Sequence, residues 1–88
     1  MQKIIDFYGK ENQIEKTIEE LLELALVLKQ GINKDPQRLR VALNDLASEI
    51  ADVEIMLEQL KMIFEFENRI NVWRRKKIQR TIEQIKIL

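Results

Sequence analysis

The chain reads as an all-α domain, and three observations predict it. Apolar residues recur every three to four positions along most of its length, the period of a helix with one buried face. Glycine and proline, the residues that punctuate helices, number only two and one in 88 residues. The remainder is rich in Leu, Ile, Glu, Lys and Gln, which lose little side-chain freedom on entering a helix. No stretch alternates as a strand would, and no segment repeats. The expected architecture is a single domain over residues 1–88: an antiparallel helical hairpin plus a C-terminal helix, completed to a four-helix bundle by oligomerisation.

The elements follow in order. Residues 2–9 form either a short helix or a loose lead-in. A first long helix is expected from about Lys10 to Gln30, with Ile14, Ile18, Leu21, Leu22, Ala25 and Leu28 as its apolar stripe. Gly31 is placed to end it, because glycine accepts the left-handed C′ conformation. Residues 31–35 connect, and Asp35 before Pro36 combines an N-cap acid with a proline at the first helical position. The second long helix starts there and runs to Phe64 or beyond, with Leu39, Leu43, Leu46, Ile50, Val53, Leu57 and Leu60 as an a/d-type stripe. A last helix over about Asn68 to Leu88 carries Ile70, Trp73, Ile78, Ile82 and Ile85, with Asn68 or Asn71 as its cap.

Composition excludes several functions. The chain contains no cysteine and no histidine. Disulfides, thiolate nucleophiles, cysteine zinc sites, imidazole ligands and Ser-His-Asp catalysis are therefore ruled out. Any chemistry must come from carboxylates, lysines, arginines or a metal. The formal net charge is zero, which argues against nucleic-acid binding by overall charge. No signal peptide is visible at the N-terminus, and no apolar run approaches the ~20 residues of a membrane span, so a cytoplasmic protein without membrane contact is expected.

The carboxylates carry the most information. Glu20 and Glu23, preceded by Glu19, form one i, i+3 pair, and Glu49 and Asp52 form another. Each pair projects to one side of its helix. Glu49 and Asp52 border the core of the second helix. Glu20 and Glu23 share a mixed face with Gln13, Lys16, Leu24 and Val27, which needs a cover: the second helix or another copy of the chain. Two antiparallel helices can bring the four acids to one point, where a hard divalent cation offsets their repulsion. Spacing alone leaves that reading beside a plainer one, in which both pairs sit on solvated faces.

The run Glu19-Glu20-Leu21-Leu22-Glu23-Leu24, followed by Glu49-Ile50-Ala51-Asp52-Val53, resembles the signature of the MazG-like, all-α nucleoside triphosphate pyrophosphohydrolases. That pattern is a Glu-x-x-Glu helix with an extra preceding Glu, then a Glu-x-x-Asp helix, and it covers about Gln13 to Leu60. The chain is most similar to the short single-domain bacterial and phage type. Phosphoribosyl-ATP pyrophosphohydrolases resemble it less, since they usually have a histidine after the second acidic motif. The resemblance implies Mg²⁺-dependent cleavage of an NTP or dNTP to the monophosphate and pyrophosphate, with Mn²⁺ as a possible substitute. Glu20, Glu23, Glu49 and Asp52 would hold the metal. Glu19 would serve the attacking water or a second ion.

Two further groups are candidates for the substrate. Arg69, Arg74, Arg75, Lys76, Lys77 and Arg80 form a basic cluster suited to phosphate, and the resemblance singles out Lys77 and Arg80, which match the family's basic tail, with Arg74 a turn earlier on a similar face. A solvated face is the alternative, and Trp73 falls in step with Ile70 as a packing residue. Gln13 and Lys16 either reach the nucleotide or, for Lys16, form an i, i+4 pair with Glu20. Two other function classes remain open: a non-catalytic helical dimerisation or regulatory module, and a nucleic-acid-binding protein using residues 69–80. Leu24, Val27, Ile55, Met56 and Ile63 lie off the main stripes. A lone chain is expected to leave them uncovered, so their burial favours a homodimer or homotetramer.

Overall fold

A computed structural model describes the backbone of residues 1–31 and 36–87, and the side chains of residues 1–30 and 43–86. The described residues form four helices and no strand: α1 (Gln2–Tyr8), α2 (Lys10–Gly31), α3 (Pro36–Phe64) and α4 (Glu67–Ile87). The expected connection at 32–35, with its Asp35 cap, lies outside the described residues, as does Leu88.

Local chemistry sets the boundaries. Gly9 separates α1 from α2 at φ 88°, a left-handed conformation that glycine adopts without steric cost. Its N–H closes α1 on the Ile5 carbonyl at 2.8 Å, and its carbonyl accepts the Gln13 N–H at 3.1 Å to open α2. α2 runs through Gly31, so that glycine belongs to the last turn and not to the C′ position. α3 ends at Phe64, and Glu65 takes φ 53° to turn the chain. α4 begins at Glu67, which places Asn68 and Asn71 inside the helix and not at its cap. The Phe66 carbonyl accepts the Ile70 N–H at 3.1 Å, and Glu67 complements the positive end of the helix dipole.

α2 and α3 pack as an antiparallel hairpin, and α1 lies against both. Direction and register follow from two long-range contacts: Gln13 near the start of α2 bonds Gln59 near the end of α3, while Glu20 and Glu23 meet Glu49. The inner face of α2 is Gln13, Thr17 and Glu20, all buried, then Leu24 and Val27, half-buried. The inner face of α3 includes Glu49 and Asp52, half-buried, and Val53, Met56 and Gln59, buried.

This orientation corrects the expected core. The most apolar stripe of α2 does not face α3. Ile18, Leu21, Leu22 and Leu28 are exposed, Leu22 by 66%, and on α3 so are Leu43, Ile50 and Leu57. Leu24 and Val27, expected to lie open in a single chain, are covered by α3. Met56 is buried and Ile63 half-buried, whereas Ile55 is exposed. The physical reason is that a two-helix hairpin buries one narrow face of each helix, and here that face is the one carrying the carboxylates.

α4 has no extensive packing on either hairpin helix, and only its start, at Glu67, lies beside α3. From Asn71 onward its described side chains are all exposed. The Cα extents of 42 × 38 × 15 Å describe a flat body. Two helices side by side are only ~20 Å wide, so the 38 Å dimension requires α4 to project from the hairpin as an arm. α4 carries seven basic residues and two acids, a net charge of +5. Because the whole chain is neutral, the remainder carries −5. Among the described residues no helix is long and apolar enough to cross a membrane.

Candidate metal centre

The inward face of the hairpin brings Glu20 and Glu23 of α2 to Glu49 of α3. One carboxylate oxygen from each lies within 4.8 Å of the others. The i, i+3 spacing on α2 stacks its two acids one turn apart, and the antiparallel register presents Glu49 between them. Glu20 is 7% exposed. Glu49 is half-buried and Glu23 exposed, so the cluster opens to solvent on one side.

The electrostatics are unfavourable without a counter-ion. Burial pushes the Glu49 carboxyl above the ordinary carboxylate range, and the negative charges of Glu23, Asp52, Glu20 and Asp45 push it further in the same direction. Among the described residues no basic side chain acts on it. Oε2 of Glu20 and Oε2 of Glu49 are buried and have no hydrogen-bond partner. Unpaired buried carboxylate oxygens are costly and call for a cation or a proton.

Lys16 pairs with the edge of the cluster. Its Nζ lies 3.2 Å from Glu20 Oε1 and 3.5 Å from Glu19 Oε2. The hydrogen bond to Glu20 and the Glu20 charge raise its pKa, with Glu19 adding to both effects. Lys16 thus holds one oxygen of Glu20 and leaves the other facing the cluster. Gln13, one turn earlier, donates through Nε2 to Gln59 Oε1 at 2.6 Å, and Thr17 Oγ1 donates to the Gln13 carbonyl at 2.7 Å.

Three of the four expected metal ligands therefore converge. Asp52 lies outside the three-oxygen cluster, close enough for its charge to act on Glu49. Glu19 is exposed and paired with Lys16. Gln13 is committed to Gln59 and Lys16 to the two glutamates, as the i, i+4 reading anticipates. Arg74, Lys77 and Arg80 sit on the projecting arm, and one chain does not bring them to the acids. Arg75, Lys76, Gln79, Arg80 and Glu83 line a shallow depression on α4 itself, with Lys76 Nζ 5.4 Å from the Trp73 ring centroid.

Gln59 is the polar residue that reading by motif overlooks. It is 1% exposed, and its Nε2 is buried without a partner. Helical phase was the available signal: at ~100° per residue, Gln59 falls on the same side of α3 as Asp52 and Met56.

The donor set is all carboxylate oxygen, from a chain without His or Cys. Such a set suits a hard divalent cation of the Mg²⁺ or Mn²⁺ type and not a soft metal. No protein-family model, curated protein or solved structure matches the chain significantly.

Proposed function

We propose that the chain is a Mg²⁺-dependent nucleoside triphosphate pyrophosphohydrolase that acts as a homo-oligomer. The observation that carries this reading is the meeting of Glu20, Glu23 and Glu49 across two helices, with two buried carboxylate oxygens left unpartnered. Solvated acids would spread apart. These are held together by the packing of the hairpin, at an electrostatic cost that a divalent cation offsets.

In this reading Glu20, Glu23 and Glu49 hold the cation, and Asp52 adds negative charge from the next turn. A divalent cation held by Glu20, Glu23 and Glu49 would supply charge neutralisation for the substrate phosphates. Lys16 fixes one oxygen of Glu20 and keeps Glu19 beside the cluster. Glu19, exposed, paired with Lys16 and outside the metal-binding set, would take a proton from the attacking water. The products are a nucleoside monophosphate and pyrophosphate. Among the described residues the surface depressions lie away from the acids, and in this reading a second copy would complete the site. The exposed apolar stripes of α2 and α3 supply a surface for that association.

The test is pyrophosphate release from a panel of NTPs and dNTPs, with and without Mg²⁺. Release is expected only with the cation, and Glu49→Gln should abolish it. Orthophosphate as the first product, or no turnover of any nucleotide by the folded chain, would overturn the reading.

A further inference from the structure

The projecting arm and the uncovered side of the hairpin fit one another. Counting from the Gln13–Gln59 contact places Ile14 near Leu57, Leu21 near Ile50 and Leu28 near Leu43. At ~100° per residue, each of these sets is rotated from the inner face of its helix in the same sense. In an antiparallel pair, equal rotations of that kind point to the same side. The hairpin therefore presents a two-helix apolar groove, in which Leu21 is 44% exposed and Ile50 and Leu57 are each 41% exposed.

Acids rim this groove on both sides. Glu11 and Glu15 line a depression with Ile14 on α2. Glu54 and Glu58 of α3 line another with Leu57 and the base Lys61, closed at one end by Glu67 at the root of the arm. The arm is the complement. Ile78, Ile82 and Ile85 form an exposed stripe on α4, flanked by Arg74 and Arg75. Among the described residues, Lys16 alone of the bases forms ion pairs, so neither the rim acids nor the arm bases pair with another described residue. The charges are opposite and equal in size, +5 on the arm and −5 on the rest. The groove from Ile14 to Leu28 is ~21 Å long, and the arm, at ~31 Å, spans it.

We propose that two copies of the chain exchange arms, α4 of each lying in the hairpin groove of the other, Ile78, Ile82 and Ile85 on the apolar floor and the arginines on the glutamate rim. The arrangement is closed and two-fold, since each copy gives one arm and receives one. An amphipathic helix in an apolar groove is a recurrent mode of recognition. A second copy is favoured over other occupants because it supplies the apolar stripe and the matching charge together. This assembly accounts for the copy-to-copy contact that the enzyme reading needs, yet it is tested without nucleotide or metal, so either can fail alone.

The test uses the full chain. Sedimentation at micromolar concentration should show a dimer. The double variant Ile78→Glu, Ile82→Glu changes only residues exposed in the single chain, so helicity by circular dichroism should be retained. Its dissociation constant should rise on the order of 100-fold or more. In an equal mixture of unlabelled and heavy-isotope-labelled chains, carbodiimide coupling should join Lys77 or Lys86 of one label to the rim glutamates of the other. A monomer would overturn the proposal, as would couplings confined to one label, which mean that the arm folds back on its own hairpin. A dimer unaffected by the α4 double variant but broken by Leu21→Glu would replace it with a hairpin-to-hairpin interface. A monomer that cosediments with phosphatidylserine vesicles or binds a single-stranded oligonucleotide would assign the arm to those partners instead.

Discussion

Glu49 is the residue at which burial and like charge meet, and both raise its pKa. An acid whose folded pKa lies above its unfolded value binds more protons folded than unfolded. Its ionisation therefore costs stability, and the cost grows as pH rises from the ordinary carboxylate value through the raised one. Without metal, the chain should melt at higher temperature near about pH 5 than this carboxylate allows at neutral pH. Millimolar Mg²⁺ should reverse the penalty at neutral pH, because a ligand of the folded state alone stabilises it, and its effect should shrink as Glu49 protonates. Glu49→Gln should melt no lower than the wild type in EDTA and should lose the Mg²⁺ response. Thermal scans at two pH values, with and without Mg²⁺, check both signs. Lys16 works the other way: its raised pKa keeps its pairing intact across this range, and that contribution is lost only in strong alkali. The buried Gln13–Gln59 pair gives a second residue-scale expectation. Replacing either by Leu leaves the other amide unpaired and should cost about 1–3 kcal/mol, while the double replacement should recover most of it. A urea double-mutant cycle measures this.

At the scale of the helix, Glu65 holds φ 53° at the end of α3, a conformation costing an L-residue about 1–2 kcal/mol. Glu65→Gly should raise stability by about 0.5–1 kcal/mol in urea unfolding, the relief of strain being partly offset by greater freedom of the unfolded chain. Helix positions were legible in the sequence because periodicity and breakers agree: Lys10, Pro36 and Phe64 fall at or beside the expected boundaries. Which face of α2 packs was harder to read. Ile18, Leu21 and Leu22 form the stronger apolar stripe, and hydrophobic period alone makes them core. The hairpin instead buries Gln13, Thr17 and Glu20, a face that looks polar until Gln59 and Glu49 arrive from α3. Three of four metal-site candidates were legible, because i, i+3 spacing on two helices is a strong geometric constraint. Asp52 and Glu19 fall outside the cluster because a helix presents only one or two acids per turn to a single neighbour. Arg74, Lys77 and Arg80 depend on where α4 goes, which sequence spacing does not encode.

For the whole molecule, the buried apolar residues named on the hairpin and α1 are few: Ile5, Val53 and Met56. Met56→Ala should cost about 2–5 kcal/mol. Large apolar side chains on α2, α3 and α4 are exposed in the single chain, and the proposed association would bury part of that surface. Its melting temperature should therefore rise with protein concentration. The acidic centre lies between two helices of one chain, so its cation affinity reports directly on the hairpin register that defines it. Titration of Mn²⁺ followed by electron paramagnetic resonance tests the central claim most directly. Saturable binding is expected for the wild type, with affinity reduced at least tenfold in Glu49→Gln and in Glu20→Gln, while circular dichroism stays unchanged. Absence of saturable binding, or equal binding by wild type and both variants, would contradict the assignment of Glu20, Glu23 and Glu49 as a divalent-cation site.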